Sequence, residues 1–392
     1  MSLKYFLDTN IDISAIFFWG RSGSFFLGSL LDNHKNIMTI PGGYLFNFYG
    51  ENGFWQKIIN NNISDFDILL DTFIKDHRGA FDGKYDKGSN FEFMGDDSVT
   101  CLSVDVEKFK ISMKKYHKKY NLFNRKLFFI ASHYSYEIAQ GNDVLLKKLI
   151  NYQLHTPASE RVSEFCQDFP NAKYLGTYRE PVRALYSHIK QHKGNLQENN
   201  ESKLYEEYHT VYDGQYGWYY KHQLIGWKKV AHDYKLLLLA VKLEKLHDNP
   251  KKVLKKIAKF LNIDFEDSLM QSTFCGLKYW GDNRAVGKIN GFSSSHTKTS
   301  TNEKCFNTHD LFVLNTLSAL KHKEYKYLLE DSEYMGILED MIEVPTKIEK
   351  EALDKSLNIQ EHKSAFLAYK QRVKDSIWFL NSSKKIWKLN NG

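Results

Sequence analysis

Short apolar runs, rich in β-branched and aromatic residues, alternate along the chain with segments of helix length. Four such runs stand out, namely Ile13–Trp19, Lys126–Ala131, Lys173–Tyr178 and Lys235–Val241. Runs of this length and composition predict buried strands, and helix-length connections between them predict that the strands are parallel. We therefore predict an α/β fold with three α/β/α layers around a central parallel sheet.

Helical periodicity is clearest between Asn249 and Leu261, where Pro250 would occupy the first turn of an amphipathic helix. The residues that share its apolar face are Val253, Leu254, Ile257 and Leu261. From about Asp310 onward the sequence is typical of helices. We predict one α/β domain over residues 1–305 and a helical C-terminal extension over residues 306–392; the extension either packs on the domain or contacts a membrane surface.

The composition fits a packed globular protein and excludes several classes. Of 392 residues, 42% are apolar and 15% aromatic, which excludes global disorder. The net charge of +7 is spread in short Lys clusters, so we expect solvated faces and no nucleic-acid partner. The four cysteines form no CxxC pair, which predicts reduced thiols and a cytoplasmic location. The longest apolar stretches span about seven residues, too few for a transmembrane helix.

Residues 13–32 have the layout of a phosphate-binding loop, in which a predicted strand, the turn GRSGS at residues 20–24 and a predicted apolar helix follow one another. Backbone amides of such a turn and the positive end of the helix bind phosphate groups. The turn offers flexible backbone at its glycines and hydroxyl donors at its serines, which are Gly20 and Gly23, and Ser22 and Ser24.

The turn lacks two features of the nucleotide triphosphatases. Their GxxxxGK[ST] loop has Lys after its last glycine, whereas here Ser24 follows Gly23 and the cation, Arg21, precedes it. The predicted strand that ends at Tyr178 is followed by Arg179, where an acidic residue would bind magnesium. A nucleotide-dependent kinase or hydrolase is thus disfavoured but kept as an alternative, and we predict no metal.

From Gly20 to Ile37 the sequence GRSGSFFLGSLLDNHKNI resembles the sulfotransferases, whose loop reads [RK]SG[ST], and the carbohydrate sulfotransferases in particular. The resemblance implies a P-loop-type fold and 3′-phosphoadenosine 5′-phosphosulfate (PAPS) as cosubstrate. It implies that Arg21 stabilises the leaving phosphate and contacts the sulfuryl group. The turn would hold the 5′-phosphate through Gly23 and Ser24, and the apolar pair Phe25 and Phe26 would lie near adenine, with Phe26 against the base.

A second motif lies in KYLGTYREPVRALYSH, residues 173–188. Arg179 follows a predicted strand, Pro181 fits the first turn of a helix, and Ser187 stands eight positions after Arg179. An Arg and a Ser so placed converge on one phosphate only if the loop folds back. This spacing resembles the sulfotransferase motif for the 3′-phosphate, and the two motifs occur in the order of that family.

Three further segments resemble the family. Leu236–Ile263 resembles its strand, Glu-x-Leu loop and helix, with Glu244 in the loop. Ser272 and Phe274 resemble the [ST]-x-F segment that touches adenine, with an exposed loop as the alternative. Tyr279–Phe292 resembles the Gly-rich loop over the 3′-phosphate, and two residues are candidates for its cation: Arg284 and Lys288.

Transfer to a hydroxyl needs a general base, for which His or Glu is usual. His155, in LHTPASE, resembles the family's K-T-P segment, although most relatives have Lys there; it could also bind cosubstrate or cap a helix. His133, after the run Lys126–Ala131, is the second candidate, with a structural histidine as the alternative. A Glu such as Glu137 or Glu160 is a further possibility.

The acceptor is expected to bind the variable segment 41–130. Its aromatic residues suit sugar rings, or else belong to the core; they include Tyr44, Phe46, Phe48, Tyr49, Phe54 and Trp55. We predict transfer to a hydroxyl of a small molecule, glycan or glycolipid, with peripheral membrane contact left open. A non-catalytic relative that binds sugar or nucleotide is the remaining alternative.

Overall fold

The structure is a computed structural model of the chain. It describes residues 11–18, 22–41, 47–86, 89–155, 159–179, 233–281 and 291–293, positions 183 and 230, and short stretches between 307 and 377, chiefly 342–354 and 358–367. The chain forms two compact units. The first comprises Met1–Tyr178 with Val230–Thr297, and the second Arg179–Lys229 with Lys298–Gly392. The domain boundary expected near residue 305 stays a prediction.

A parallel sheet lies at the centre of the first unit. In the described part of the chain its strands are β1 (Asp12–Phe18), β2 (Ile37–Met38), β3 (Leu149–His155), β4 (Lys173–Tyr178) and β5 (Leu237–Lys242). Their order is β2-β3-β1-β4-β5, and every pairing is parallel. Together with the helices around it, this sheet confirms the predicted α/β class. β1 is the central strand and pairs on both sides.

The helices of the first unit connect and cover these strands. Among the described residues these helices are α1 (Ser24–Leu31), α2 (Phe54–Asn60), α3 (Phe66–Asp76), α4 (Arg78–Phe81), α5 (Val106–Tyr120), α6 (Arg125–Gln140), α7 (Ser159–Asp168), α8 (Leu243–Asp248) and α9 (Pro250–Leu261). A short antiparallel hairpin, β6 (Thr273–Phe274) and β7 (Leu277–Lys278), follows α9. In the second unit the structure describes α10 (Lys347–Asp354). None of the described helices has the length and apolar character needed to cross a bilayer.

Helix α9 confirms the periodicity seen in the sequence. It begins at Pro250, whose missing N–H costs nothing in a first turn, and Asn262 ends it in the left-handed conformation at φ 62°. Leu254, Ile257 and Leu261 are buried. They join α1 and the sheet in one apolar cluster, so that burial of this stripe anchors the helix to the sheet.

The run Lys126–Ala131 was predicted to be a strand, and this prediction is wrong, because the run lies inside α6. The side chain of Asn124 accepts a hydrogen bond from the backbone N–H of Leu127 at 3.0 Å and so caps the helix at its start. Gly141, at φ 83°, ends it. Residues 128–137 are all buried, so the helix lacks the polar face that would have revealed its period.

Strand β3 was not predicted, because it alternates apolar residues with Asn151 and Gln153. Both polar side chains are nonetheless buried. Asn151 Oδ1 accepts a hydrogen bond from the hydroxyl of Ser14 on β1 at 3.0 Å, which offsets part of the cost of burying a polar group. The polar residues of this strand therefore belong to the interior.

The described aromatic residues at the start of the segment 41–130 form a core. Phe48 and Tyr49 are fully buried, and Trp55 is 9% exposed. The ring of Phe48 packs against Phe128 and Phe129 of α6, with centroids 6.3 and 5.5 Å apart. Their proposed use as a platform for sugar rings is therefore wrong, and the alternative of core packing is confirmed. Tyr44 and Phe46 lie outside the described residues.

Two of the buried histidines, His77 and His133, pack against the aromatic core, and one ion pair is buried as well. His77 and His133 each donate a hydrogen bond from Nδ1 to the carbonyl four residues earlier in the chain, at 2.7 and 2.8 Å. Burial lowers the pKa of each imidazole from 6.5 to about 4. Glu137 and Lys147 form an ion pair at 2.9 Å with both side chains almost wholly buried.

These histidines predict a loss of stability in mild acid. Each stays neutral in the folded chain but takes up a proton on unfolding, so the free energy of unfolding falls by about 3 kcal/mol per histidine between pH 6.5 and 4. Asp32 has the opposite effect, because its pKa is raised to about 6 in the folded chain. Between pH 6 and 3.8 its protonation favours the folded state and offsets the loss of stability caused by one of the two histidines. Denaturant-induced unfolding, measured between pH 6.5 and 4, should show a net fall in the free energy of unfolding as the pH is lowered.

The variant His133→Gln, which does not titrate, should show a flatter dependence of unfolding free energy on pH than the natural chain. His362→Gln removes an exposed histidine and serves as the matched control, with an unchanged slope. Equal slopes for His133→Gln and the natural chain would contradict the assignment.

Candidate active site

The carboxyl ends of the parallel strands meet at one edge of the sheet. In the β1–β3 pairing the last residue of β1, Phe18, lies opposite His155, the last residue of β3. In the β1–β4 pairing Phe17 lies opposite Gly176, so that β4 ends two residues further on, at Tyr178. The carboxyl ends of β1, β3 and β4 therefore lie at the same edge of the sheet, where ligands of open α/β sheets usually bind.

The turn after β1 leads directly into helix α1, as predicted. Gly23 precedes the helix at φ 83°, a left-handed conformation that favours glycine. A Cβ atom at Gly23 would also collide with the side chain of Leu243, the first residue of α8. No side chain caps α1, and its first turn holds no acidic residue. The positive end of this helix is thus suited to an anion.

The hydroxyl of Ser22 joins the turn to β4. Ser22 Oγ lies 2.9 Å from Oγ1 of Thr177, and both residues are buried. Thr177 stands two positions before Arg179 in the chain. One hydrogen bond therefore connects the predicted 5′-phosphate turn to the strand that leads into the predicted 3′-phosphate motif.

Helix α1 lies very close to the sheet at Gly28. A Cβ atom there would collide with the side-chain amide of Gln153 on β3 and would lie 3.8 Å from the side chain of Ile16 on β1. Gly28 and Gln153 are both buried. Glycine at this position lets the phosphate-loop helix approach β1 and β3.

The β6–β7 hairpin packs on the same helix. Ser272, just before β6, is bound by Ser29 of α1, with their Oγ atoms 2.6 Å apart. Phe274 is 1% exposed, and its ring lies 4.9 Å from that of Phe25 and 4.9 Å from that of Tyr279. The alternative of an exposed loop is therefore wrong for Ser272 and Phe274, and their contact with adenine stays a prediction.

The ring of Phe26 stacks on His247 of α8, at a centroid distance of 4.8 Å and an interplanar angle of 4°. The ring of Phe292 packs edge-on against that of Phe26, at a centroid distance of 5.4 Å. His247 Nδ1 in turn accepts a hydrogen bond from the backbone N–H of Ser293 at 3.1 Å. Phe26 thus already has aromatic neighbours, and its predicted place against adenine stays a prediction.

Several predicted site residues lie outside the described residues, namely Gly20, Arg21, Ser187, Arg284 and Lys288. Ser22, Gly23, Ser24, Phe25 and Phe26 are described, and they surround the start of α1. Of His155 the structure describes the backbone, at the end of β3. Arg179 is half-buried and directly follows the last residue of β4.

Two of the candidate bases are engaged elsewhere. His133 is fully buried in the middle of α6, with its Nδ1–H bound to the carbonyl of Phe129, and so lies where an acceptor has no access. Glu137 is paired with Lys147 and also accepts a hydrogen bond from the side-chain amide of Asn142 at 2.9 Å. These contacts favour structural roles for both, whereas Glu160 is exposed near the start of α7.

Asp32 is a buried acid near the site that the sequence did not single out. Its carboxylate accepts hydrogen bonds from Thr39 Oγ1 at 2.7 Å and from Thr273 Oγ1 at 3.2 Å. Burial raises its pKa from 3.8 to about 6, opposed by the hydrogen bonds from Thr39 and from the backbone N–H of Gly276. In the described part of the chain, no group of three or more His, Cys, Asp and Glu side chains is placed to hold a metal ion.

These features define an α/β protein in which the turn between β1 and α1, at the carboxyl edge of a parallel sheet, is suited to an anion. The family model of the sulfotransferase domain matches residues 59–305, more than half of the chain. The chain therefore belongs to the sulfotransferase domain family and is a sulfotransferase. The match starts at residue 59, beyond the predicted phosphate loop.

Comparison with curated proteins gives no significant match. Among solved structures, the chain is similar to the sulfotransferase domain of the Synechococcus PCC 7002 olefin synthase, at 18% identity and a TM-score of 0.38, over 74% of this chain and 87% of that one. It is also similar to the sulfotransferase domain of the curacin biosynthetic pathway, at 15% identity and a TM-score of 0.40, over 75% and 89% of the two chains. A sulfotransferase from Mycobacterium avium aligns at 10% identity, over 68% and 67%, with a TM-score of 0.34.

The bond between Ser22 and Thr177 predicts the effect of a near-isosteric substitution. Thr177→Val removes this hydrogen bond, which is worth about 1 kcal/mol, so we expect the affinity for adenosine 3′,5′-bisphosphate to fall roughly fivefold. Calorimetric titration measures the change. Thr177→Ser keeps the hydroxyl and should bind as the natural chain does, whereas an unchanged affinity in Thr177→Val would show that the bond does not shape the turn.

Proposed function

We propose that this sulfotransferase takes its sulfuryl group from PAPS and transfers it to an acceptor hydroxyl by in-line displacement. The observation that carries the proposal is the parallel register of β1 between β3 and β4. It brings the carboxyl ends of these three strands to a common edge of the sheet. In sequence, the two predicted phosphate motifs follow β1 and β4, and the predicted base, His155, is the last residue of β3.

The residues around the turn fit the 5′-phosphosulfate end of PAPS. Gly23 is held in the left-handed conformation beside Leu243, and α1 begins without a side-chain cap or an acidic first turn. The backbone amides at this point suit a phosphate group. By resemblance to the family, Ser24 supplies a hydroxyl to the same phosphate, and Arg21 neutralises the charge that develops on the leaving oxygen.

We assign the 3′-phosphate to Arg179 and Ser187, with Arg284 or Lys288 as an added cation. The support for this assignment is the spacing of the first two residues and the position of Arg179 immediately after β4. An Arg guanidinium gives a phosphate two parallel hydrogen bonds. Selection of a 3′-phosphorylated nucleotide over ATP would depend on this second anion site.

We assign the general base to His155. PAPS supplies a sulfuryl group on a good leaving phosphate, and the protein must position the acceptor and remove its proton. In the transfer, the bond from the acceptor oxygen to sulfur forms as the bond from sulfur to the bridging phosphate oxygen breaks, and the acceptor proton passes to the base. His155 ends β3 directly beside Phe18 of β1, so its backbone lies next to the start of the phosphate turn.

For the acceptor, we propose a hydroxyl of a small molecule or glycan, a glycolipid included. This proposal now rests on the resemblance of the phosphate loop to that of carbohydrate sulfotransferases, since the described aromatic residues near position 50 are core residues. We also propose a cytoplasmic location, which is supported by the free thiols of Cys101, Cys166 and Cys275.

A pair of calorimetric titrations tests the cosubstrate. The protein should bind adenosine 3′,5′-bisphosphate at least about tenfold more tightly than ATP with magnesium, because only the former places a phosphate at the 3′ position. The same titrations on Arg179→Ala should abolish this preference. Tighter binding of ATP with magnesium would support the kinase or hydrolase alternative, and binding without any turnover of PAPS would support the non-catalytic alternative.

The base is tested with His155→Ala and His133→Ala. We expect His155→Ala to lower the turnover of PAPS, in the presence of a pool of glycan and small-molecule acceptors, by roughly 10²- to 10⁴-fold while nucleotide binding is retained. His133→Ala should lower the thermal stability and spare the turnover number of the folded fraction. A parallel loss of nucleotide binding in His155→Ala would instead place this residue in the cosubstrate site.

A further inference from the structure

We propose that Asp32 is a positioning residue that fastens the β6–β7 hairpin to the phosphate-loop helix and thereby sets the adenine end of the site relative to the 5′-phosphate end. The inference rests on the proposed function, because it assumes that an adenine nucleotide spans the two. It is carried by three contacts between one face of α1 and residues 272–276.

The first contact is made by Asp32 itself, which lies immediately after α1 and is 7% exposed. Its Oδ2 accepts hydrogen bonds from Thr273 Oγ1 and from the backbone N–H of Gly276, each at 3.2 Å. Its Oδ1 accepts the hydroxyl of Thr39, which follows β2, at 2.7 Å. One carboxylate therefore binds the first residue of β6 and the hairpin turn that follows this strand, and it ties both to Thr39 beside the sheet.

The second contact is a hydroxyl chain. Ser29 Oγ lies 2.7 Å from the carbonyl oxygen of Phe26, which can only accept, and 2.6 Å from the Oγ of Ser272. Ser29 therefore donates to Phe26, and Ser272 donates to Ser29. This chain connects the residue just before β6 to the backbone of the first turn of α1.

The third contact is apolar, since the rings of Phe25 and Phe274 lie 4.9 Å apart. Phe25, Ser29 and Asp32 are spaced i, i+4 and i+7, which places them on one face of the helix. Their partners run along the hairpin over residues 272–276. Helix and hairpin thus meet along a continuous seam, which we define as Phe25, Ser29 and Asp32 with their hairpin partners.

The seam requires a carboxylate at position 32, because an ionised carboxylate only accepts hydrogen bonds. The nearby acid Glu137, although paired with Lys147, adds to the burial that raises the pKa of Asp32 to about 6, and the group still carries a charge at neutral pH. Thr39, Thr273 and Gly276 each supply a donor to it. An apolar residue at position 32 would leave these donors without that acceptor, and an amide would present a donor to some of them.

The far side of the hairpin is bound to a different segment. The backbone N–H of Gly95 donates to the carbonyl of Lys278 at 2.9 Å, and the indole N–H of Trp280 donates to the carbonyl of Gly95 at 2.6 Å. The hairpin therefore keeps an attachment when Asp32 is changed, and the expected result is displacement from α1 and not unfolding.

The experiment compares two ligands that differ only in the base. Adenosine 3′,5′-bisphosphate carries adenine, whereas methyl ribofuranoside 3,5-bisphosphate keeps both phosphates and lacks it. Asp32→Asn and Thr273→Val should each weaken the nucleotide about tenfold and the abasic ligand less than about twofold. Thr72→Val, which removes a hydrogen bond within α3 from the threonine hydroxyl to the carbonyl of Ile68, is the matched control and should change neither affinity.

An equal loss for the two ligands, or no loss in either variant, overturns the proposal, since a general loosening of the fold does not discriminate by the base. If Asp32→Asn does not fold, Thr273→Val decides, because it keeps the carboxylate and removes one hairpin donor. Failure of the natural chain to bind adenosine 3′,5′-bisphosphate would instead overturn the proposed function, and this result is visible before any variant is made.

Discussion

The parallel pairing of β1 with β3 on one side and β4 on the other is the constraint on which the candidate site depends. Because strand direction is the same in all three, their carboxyl ends lie at one edge of the sheet, although β1 is more than a hundred residues from β3 and β4 in sequence. The helix after β1 then presents its positive end at that edge. A reversed or displaced strand would separate the phosphate turn from the segments that follow β3 and β4.

The elements predicted correctly from the sequence are those in which the apolar residues are also the buried ones. β4 was predicted with its bounds, Lys173–Tyr178, and α9 was predicted from its stripe and its proline. The errors have a common physical origin in α6 and β3, where tertiary packing overrides the local pattern. Helix α6 is buried nearly all round and looks like a strand, whereas β3 carries Asn151 and Gln153 into the interior. The capping residues Asn124 and Gly141 were the available signal for α6.

The candidate site was predictable where a motif is contiguous. The turn between β1 and α1 was found from its glycines and serines, and the structure places it between strand and helix as expected. Thr177 and Asp32 were missed because their partners, Ser22 and Thr273, are 155 and 241 positions away. Contacts of this separation are fixed by the order of strands in the sheet, which the missing β3 left undetermined.

The close approach of α1 to the sheet at Gly28 limits how this sequence can vary. The space that a Cβ atom would need there is filled by the amide of Gln153, so a larger residue at position 28 requires the Gln153 side chain to move or to be replaced. Among divergent relatives, a larger residue at position 28 should accompany a displaced or shorter side chain at position 153, or else a helix lifted from β3 and with it a shifted phosphate turn. Paired substitutions at these two positions would thus mark lineages in which the phosphate turn keeps its position relative to the sheet.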